Sequence, residues 1–332
     1  MKRILCLALV LVMALSVLAS CGGEKTPDVK EESTLKFGLG VHTVVSGTAD
    51  ATEDANGKAK VTVNVAAVAV DEAGKIVSIA LDTKDHSVSF TAEGKAVVAE
   101  SYSSKYELGD AYNMKAYGGA ALEWYEQADA LKAVVIGKTL DEVKALVAEN
   151  NRGTDELVNA GCTILVNEIV LAIEKAYNNA KASDAVAADT LKVGMSTKAT
   201  AADAAEDKNG SAQVEVSVFA AAIDAEGKVS AAETDCVSVK VTFDVAGACT
   251  YDATKAIQTK YELKEGYNMK LYGGSALEWY EQADAFDAAC LGKTIAEIVA
   301  LEVEDGKGVE SLQTAGCTIV ISELVAAAAK LG

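Results

Sequence analysis

The chain has 332 residues, 50% of them hydrophobic and 24% charged, and carries a formal net charge of −19. Beyond an apolar N-terminal segment, enough chain remains for two domains of about 140–150 residues each. The acidic balance disfavours nucleic acid, which calls for clustered Lys and Arg, and a single proline, Pro27, excludes a proline-rich partner motif.

Lys2 and Arg3 precede an apolar run from Ile4 to Leu18, too short and wrongly flanked for a membrane span. The run ends in Leu18-Ala19-Ser20-Cys21, which resembles the bacterial lipobox. On that resemblance residues 1–20 are a cleaved lipoprotein signal and Cys21 is the lipidation site. Residues 21–34, polar and Gly-containing, form a flexible tether. The expected location is extracytoplasmic, anchored to the cell membrane through lipidated Cys21. An exported chain can form disulfides, and Cys236 and Cys249 could bridge neighbouring strands. No C-x-x-C and no Cys/His cluster with zinc spacing occurs, so no metal site is expected.

The remainder repeats itself. Residues 106–130 read YELGDAYNMKAYGGAALEWYEQADA and residues 261–285 read YELKEGYNMKLYGGSALEWYEQADA, with 20 of 25 positions identical at an offset of 155. The offset persists through Gly137-Lys138-Thr139 and Gly292-Lys293-Thr294, and through Ala160-Gly161-Cys162-Thr163 and Ala315-Gly316-Cys317-Thr318. A period this long indicates duplicated domains, because solenoid repeats run only about 20–50 residues. Residues 35–176 and 191–332 are the expected copies, with 177–190 as a polar linker.

Each copy opens with strand signals. Residues 35–46 are apolar and β-branched, and 60–70 alternate through Val61, Val63 and Val65. A hairpin signal at 71–75 leads into a strand at 76–81, and 87–91 suggests a further one. The second copy repeats this at 213–223, 224–228, 229 onward and 237–243. Tight turns between sequential strands imply antiparallel pairing. Helical signals follow at 120–134, 140–149 and 166–176, and again at 275–291, 295–303 and 322–330. Thr139 with Glu142, and Thr294 with Glu297, have capping-box spacing. The expected fold class is α+β, two homologous domains each with an antiparallel sheet followed by C-terminal helices.

Two segments are retained between the copies better than the strands are. In the first, aromatics surround Gly118-Gly119 and Gly273-Gly274 just before a helix; paired glycines allow close backbone approach, and a helix N-terminus favours an anion. The plainer reading is a packed aromatic core with a glycine turn. Glu123 and Glu126 could pair as carboxylates, although a solvated helix face is the simpler expectation. The second segment is the AGCT turn, where Thr could cap the last helix but the Cys is left unexplained. A thiol enzyme would need an electropositive partner beside Cys162 and Cys317, and none is adjacent in sequence. His42 and His86 occur only in the first copy, and no G-x-S-x-G or P-loop is present. No catalytic residues are assigned, and a binding protein or electron carrier is expected rather than an enzyme.

With its β-rich start, Gly74-Lys75 hairpin and Gly161-Cys162-Thr163 turn before a final helix, the layout resembles the FMN-binding domain family of exported bacterial proteins. That family ends in a motif of the form Asp-x-x-Ser-Gly-Ala-Thr, and in flavinylated members a transferase links FMN through its phosphate to the threonine. The resemblance implies covalent FMN at Thr163 and Thr318, with Gly161, Gly316, Cys162, Cys317, Gly118, Gly119, Gly273 and Gly274 around it. It further implies a flavin transferase and redox partners. Here Ala160 and Ala315 replace the motif's Ser, Cys162 and Cys317 its Ala, and Leu157 and Leu312 its Asp. The function implied is an extracytoplasmic flavin-based electron carrier on a membrane-anchored lipoprotein. The alternative is a cofactor-free surface binding or structural module on a degenerate FMN-binding fold.

Overall fold

Val61, Val63 and Val65 begin a run whose two faces meet different partners, and that strand organises the molecule. In the computed structural model, which describes residues 33–98 and 102–332, β2 (Gly57–Val70) lies antiparallel between β1 (Lys36–Ala49) and β3 (Ile76–Phe90). The signal segment, Cys21 and the tether as far as Glu32 fall outside the described residues. On β2 the odd residues from Val61 to Ala69 face a core shared with a second sheet. Ala66, Val68 and Val70 face a layer of helices instead. A strand buried on both faces reads as an unbroken apolar run, which is why alternation fades after Val65. β4 (Ala96–Val98) and β5 (Lys181–Ala182) add the edges, in the order β4-β3-β2-β1-β5. The second sheet, also antiparallel, has the order β6 (Thr190–Ala202), β7 (Gly210–Ile223), β8 (Val229–Phe243).

Helices follow the strands in each half. The first half carries α1 (Lys105–Leu108), α2 (Met114–Gly118), α3 (Trp124–Val135), α4 (Leu140–Lys144), α5 (Asp155–Asn159) and α6 (Asn167–Asn179). The second carries α7 (Lys260–Leu263), α8 (Met269–Gly273), α9 (Trp279–Cys290), α10 (Ile295–Val299), α11 (Glu310–Thr314) and α12 (Ser322–Ala328). Each set covers the outer face of its own sheet, so the fold is α+β in four layers. Close contact of α6 and α12 with the sheets depends on glycine. A Cβ on Gly40 would lie 2.1 Å from the Ala172 carbonyl oxygen, and one on Gly194 would lie 2.2 Å from that of Ala327. Both predicted capping boxes form, at Thr139 with Glu142 and at Thr294 with Glu297.

Residues 33–332 form one compact unit, because the inner faces of the two sheets close a single core. Contacts between the halves come in reciprocal pairs. The Ala51 N–H donates to the Gly247 carbonyl at 2.8 Å, and the Ala204 N–H donates to that of Gly94 at 2.7 Å. The Asp50 carboxylate accepts from the Cys249 N–H at 2.8 Å, and that of Asp203 from the Ala96 N–H at 3.0 Å. Phe90 and Phe243 stack between them, 4.5 Å apart and 7° from parallel. Reciprocity of this kind is the mark of a two-fold, isologous interface, here within one chain.

Three expectations change. Polar residues at 82–85 suggest a break between two strands, yet β3 runs through them, as β8 runs through its counterpart. The polar groups are satisfied in place: the Thr83 hydroxyl donates to Asn64 at 2.8 Å, the Lys84 ammonium to the Met195 carbonyl at 3.0 Å, and the Thr62 hydroxyl to Asp85 at 2.8 Å. Within the expected linker, α6 continues to Asn179 and Lys181 and Ala182 pair with Phe37 and Lys36. Cys236 and Cys249 are free thiols. Cys236 packs among the helices and Cys249 against the shared core, so they lie on different sides of the second sheet.

Candidate functional site

The two retained segments meet in each half, and a glutamine joins them. Trp124, Gln127, Ala128 and Leu131 share the buried face of α3. The Gln127 side-chain amide donates to the Leu122 carbonyl at 3.0 Å. Its oxygen accepts both the backbone N–H and the hydroxyl of Thr163, at 2.8 and 2.9 Å. Gln282 repeats this with Leu277 at 3.1 Å and with Thr318, both bonds at 2.8 Å. A buried amide with its partners in place is costly to disturb, which explains why helix and turn are retained together. The sequence carries a signal for this residue: a polar side chain at helical spacing among the apolar ones of a core-facing stripe.

The glutamates are helix caps. Glu123 is 3% exposed, so the solvated face expected for it is not found. Its carboxylate accepts the N–H groups of Met114 at 2.7 Å and Lys115 at 3.1 Å, closing the start of α2. Glu126 accepts the Glu123 N–H at 2.7 Å and pairs with Lys115 at 3.2 Å. Glu278 and Glu281 do the same for Met269 and Lys270. Gly118 ends α2 and Gly119 is its left-handed C-cap, and Gly273 and Gly274 stand likewise at the end of α8. The helix starts beside Gly118-Gly119, which the anion reading would use, are closed by the carboxylates of Glu123 and Glu126.

Aromatic faces in the block are occupied too. The Lys105 ammonium sits over Tyr112 and Trp124, at 5.2 and 5.4 Å from their ring centres, and that of Lys260 over Tyr267 and Trp279 at 5.6 and 5.7 Å. Cation–π contacts of this kind are strengthened by burial. The balancing acid comes from a different strand in each half, Asp85 at 3.5 Å from Lys105 and Glu215 at 3.1 Å from Lys260. In the second half a cavity of about 280 Å³ opens at this junction, lined by Lys260, Tyr267, Met269, Trp279 and Ile319 among others. It falls just below the roughly 300–1,000 Å³ of ordinary ligand pockets.

Within the turn, Gly161 and Gly316 have φ of 102° and 103°, a conformation that disfavours any side chain. Cys162 and Cys317 are fully buried in the helical cores, and burial pushes each thiol up to about 11. They act as small apolar side chains. A thiol reagent at about pH 8 is expected to modify Cys249 quickly and the four buried cysteines only after unfolding; fast labelling of Cys317 would contradict this packing. Cys249 is the only described cysteine that is not buried.

Thr163 and Thr318 are exposed, and the Arg152 guanidinium donates to the Thr163 carbonyl. Each hydroxyl donates to a buried glutamine oxygen, and the surroundings do not form a flavin cradle. The backbone N–H that would receive a phosphate is held by Gln127 or Gln282, and Lys105 and Lys260 cover the rings on which an isoalloxazine would stack. Buried Leu157 and Leu312 stand where the flavinylated motif has its acid. The residues fit a structural turn rather than a flavin site. Comparison with family models, curated proteins and solved structures finds no match to this chain.

Proposed function

We propose that the chain is a cofactor-free binding or structural module of the cell surface, built from two homologous units and tethered outside the membrane through lipidated Cys21. The observation that carries this reading is what remains once the packing roles are assigned. Gln127, Glu123, Trp124, Cys162 and their counterparts serve the fold. Tyr117 and Tyr272 do not: they are 89% and 83% exposed, each beside a Gly-Gly pair. An exposed aromatic kept in both copies has no stabilising task, and tyrosine suits a contact surface. The net charge of −19 argues against nucleic acid as the partner.

A flavin carrier is the second reading, favoured by the exposure of Thr163 and Thr318 and by Arg152. In that case a flavin transferase and redox partners are required. The two threonines then belong to helical layers on opposite sides of the double sheet, an arrangement poorly suited to passing electrons within the chain.

One experiment separates the readings. The soluble chain 24–332, co-expressed with a flavin transferase, is expected to keep its unmodified mass and remain colourless. Tyr117→Ala with Tyr272→Ala is expected to leave stability within about 0.5 kcal/mol per site while abolishing retention on isolated envelopes of the source cells. An FMN-sized mass increment lost stepwise with Thr163→Ala and Thr318→Ala would overturn the cofactor-free reading. Retention that is indifferent to both tyrosines would overturn the contact surface.

A further inference from the structure

Between β5, β8 and α9 lies a cavity of about 310 Å³ that the retained segments do not use. Phe37 and Leu291 give it an apolar side, and Lys181, Glu233, Asp284 and Asp287 a charged one. A single cation lines the cavity and pairs with two of these three acids. The Lys181 ammonium is 3.4 Å from Glu233 and 3.3 Å from Asp284. Glu233 also accepts the Leu39 N–H at 3.0 Å, and one oxygen of Asp287 accepts the Thr234 N–H at 3.0 Å. The other Asp287 oxygen is buried, on a residue only 5% exposed, and makes no well-aligned hydrogen bond; the neighbouring Thr234 hydroxyl, likewise without an aligned partner, is its near donor. Burial and neighbouring Glu233 push the Asp287 carboxyl up to about 8.

The first half shows that the fold does not need these acids. Tyr106 donates to Asp129 at 2.7 Å, as Tyr261 does to Asp284 at 2.9 Å. At the position matching Asp287, α3 carries Lys132, which pairs with Asp129 at 2.6 Å. The position matching Glu233 is Ala80. One frame therefore holds a lysine in one half and a buried acid in the other.

We propose that the cavity between β5, β8 and α9 binds a small organic cation, a primary ammonium on a short apolar stem. Asp287 and Glu233 receive the ammonium, and the stem lies along Phe37 and Leu291. An ammonium suits the site better than a metal ion. Each of those acids already gives an oxygen to a backbone N–H, and among the described residues no group of three or more potential ligands is arranged to hold a metal.

Calorimetry on the purified chain with n-butylammonium, n-butanol and butyrate, at about pH 9 where Asp287 is ionised and a primary amine is still largely protonated, as a lysine is, tests this. The amine is expected to bind, with the alcohol and the acid at least about tenfold weaker, the factor that corresponds to about 1.4 kcal/mol. Asp287→Asn and Glu233→Gln, each first shown to melt cooperatively, are expected to weaken the amine by about tenfold or more. Asp129→Asn, in the first half, is expected to leave binding unchanged. Equal binding of amine and alcohol would reduce the site to an apolar hole. No heat with the amine up to about 10 mM, well above the millimolar range, would leave Asp287 a structural acid and overturn the proposal.

Discussion

Phe90→Ala is expected to destabilise the whole chain by about 3–5 kcal/mol, the usual cost of emptying a buried aromatic site, and to do so in one transition. Phe90 and Phe243 are both fully buried and stack on each other where the two sheets meet. Removing either ring takes packing from both halves at once. The two tryptophans make this measurable, because Trp124 lies in one helical layer and Trp279 in the other. Urea unfolding of Trp124→Phe and Trp279→Phe backgrounds should give coincident midpoints, and Phe90→Ala should lower both together. The double variant Phe90→Ala/Phe243→Ala should cost less than the sum of the singles, by about 0.5–1.5 kcal/mol for the aromatic pair. A Phe90→Ala chain in which only Trp124 reports earlier melting would mean that the halves fold separately.

Much of this arrangement is legible in the amino-acid sequence. The valine alternation, the hairpins and the capping boxes are local signals, and they place the strands and the helix starts at Leu140 and Ile295. The joining of the halves through one core is not legible, because the reciprocal bonds of Ala51 and Ala204 link residues far apart in sequence through backbone atoms that carry no composition signal. Lys84 and His86 mislead for a related reason. Charged residues suggest a loop, yet Lys84 reaches a carbonyl on the other sheet, and burial holds His86 neutral, its pKa lowered to about 4. At the retained turn, repetition marks Thr163 and Gly161 as special, but the partner of Thr163, Gln127, lies 36 residues away. A polar residue in an apolar helical stripe marks such a bond without naming its acceptor. Repetition shows that the segments matter, while the reason depends on contacts.

Acidification from about pH 8 to about pH 5 is expected to stabilise the chain by a few kcal/mol, since one unit of pKa shift corresponds to about 1.4 kcal/mol. Burial is the main cause, holding Asp82 at about 6, Asp235 at about 7 and Asp287 at about 8. In the unfolded chain each titrates near the usual value of about 3.9. Between those limits the folded state binds more protons than the unfolded one, so stability falls as pH rises. The contribution is complete below the unfolded value and is lost as pH passes through 6, 7 and 8 in turn. The net charge of −19 acts in the same direction through self-repulsion. His86 opposes it: kept neutral in the fold, it costs stability once an unfolded histidine protonates below about 6.5. One histidine does not outweigh three buried acids, so the urea midpoint should be higher at pH 5 than at pH 8. Asp287→Asn removes the largest of these shifts and should make the chain more stable than the parent at pH 8 while narrowing the gap between the two pH values. A parent midpoint that falls on acidification, or an Asp287→Asn chain with an unchanged gap, would show that these carboxyls ionise in the fold as readily as in water.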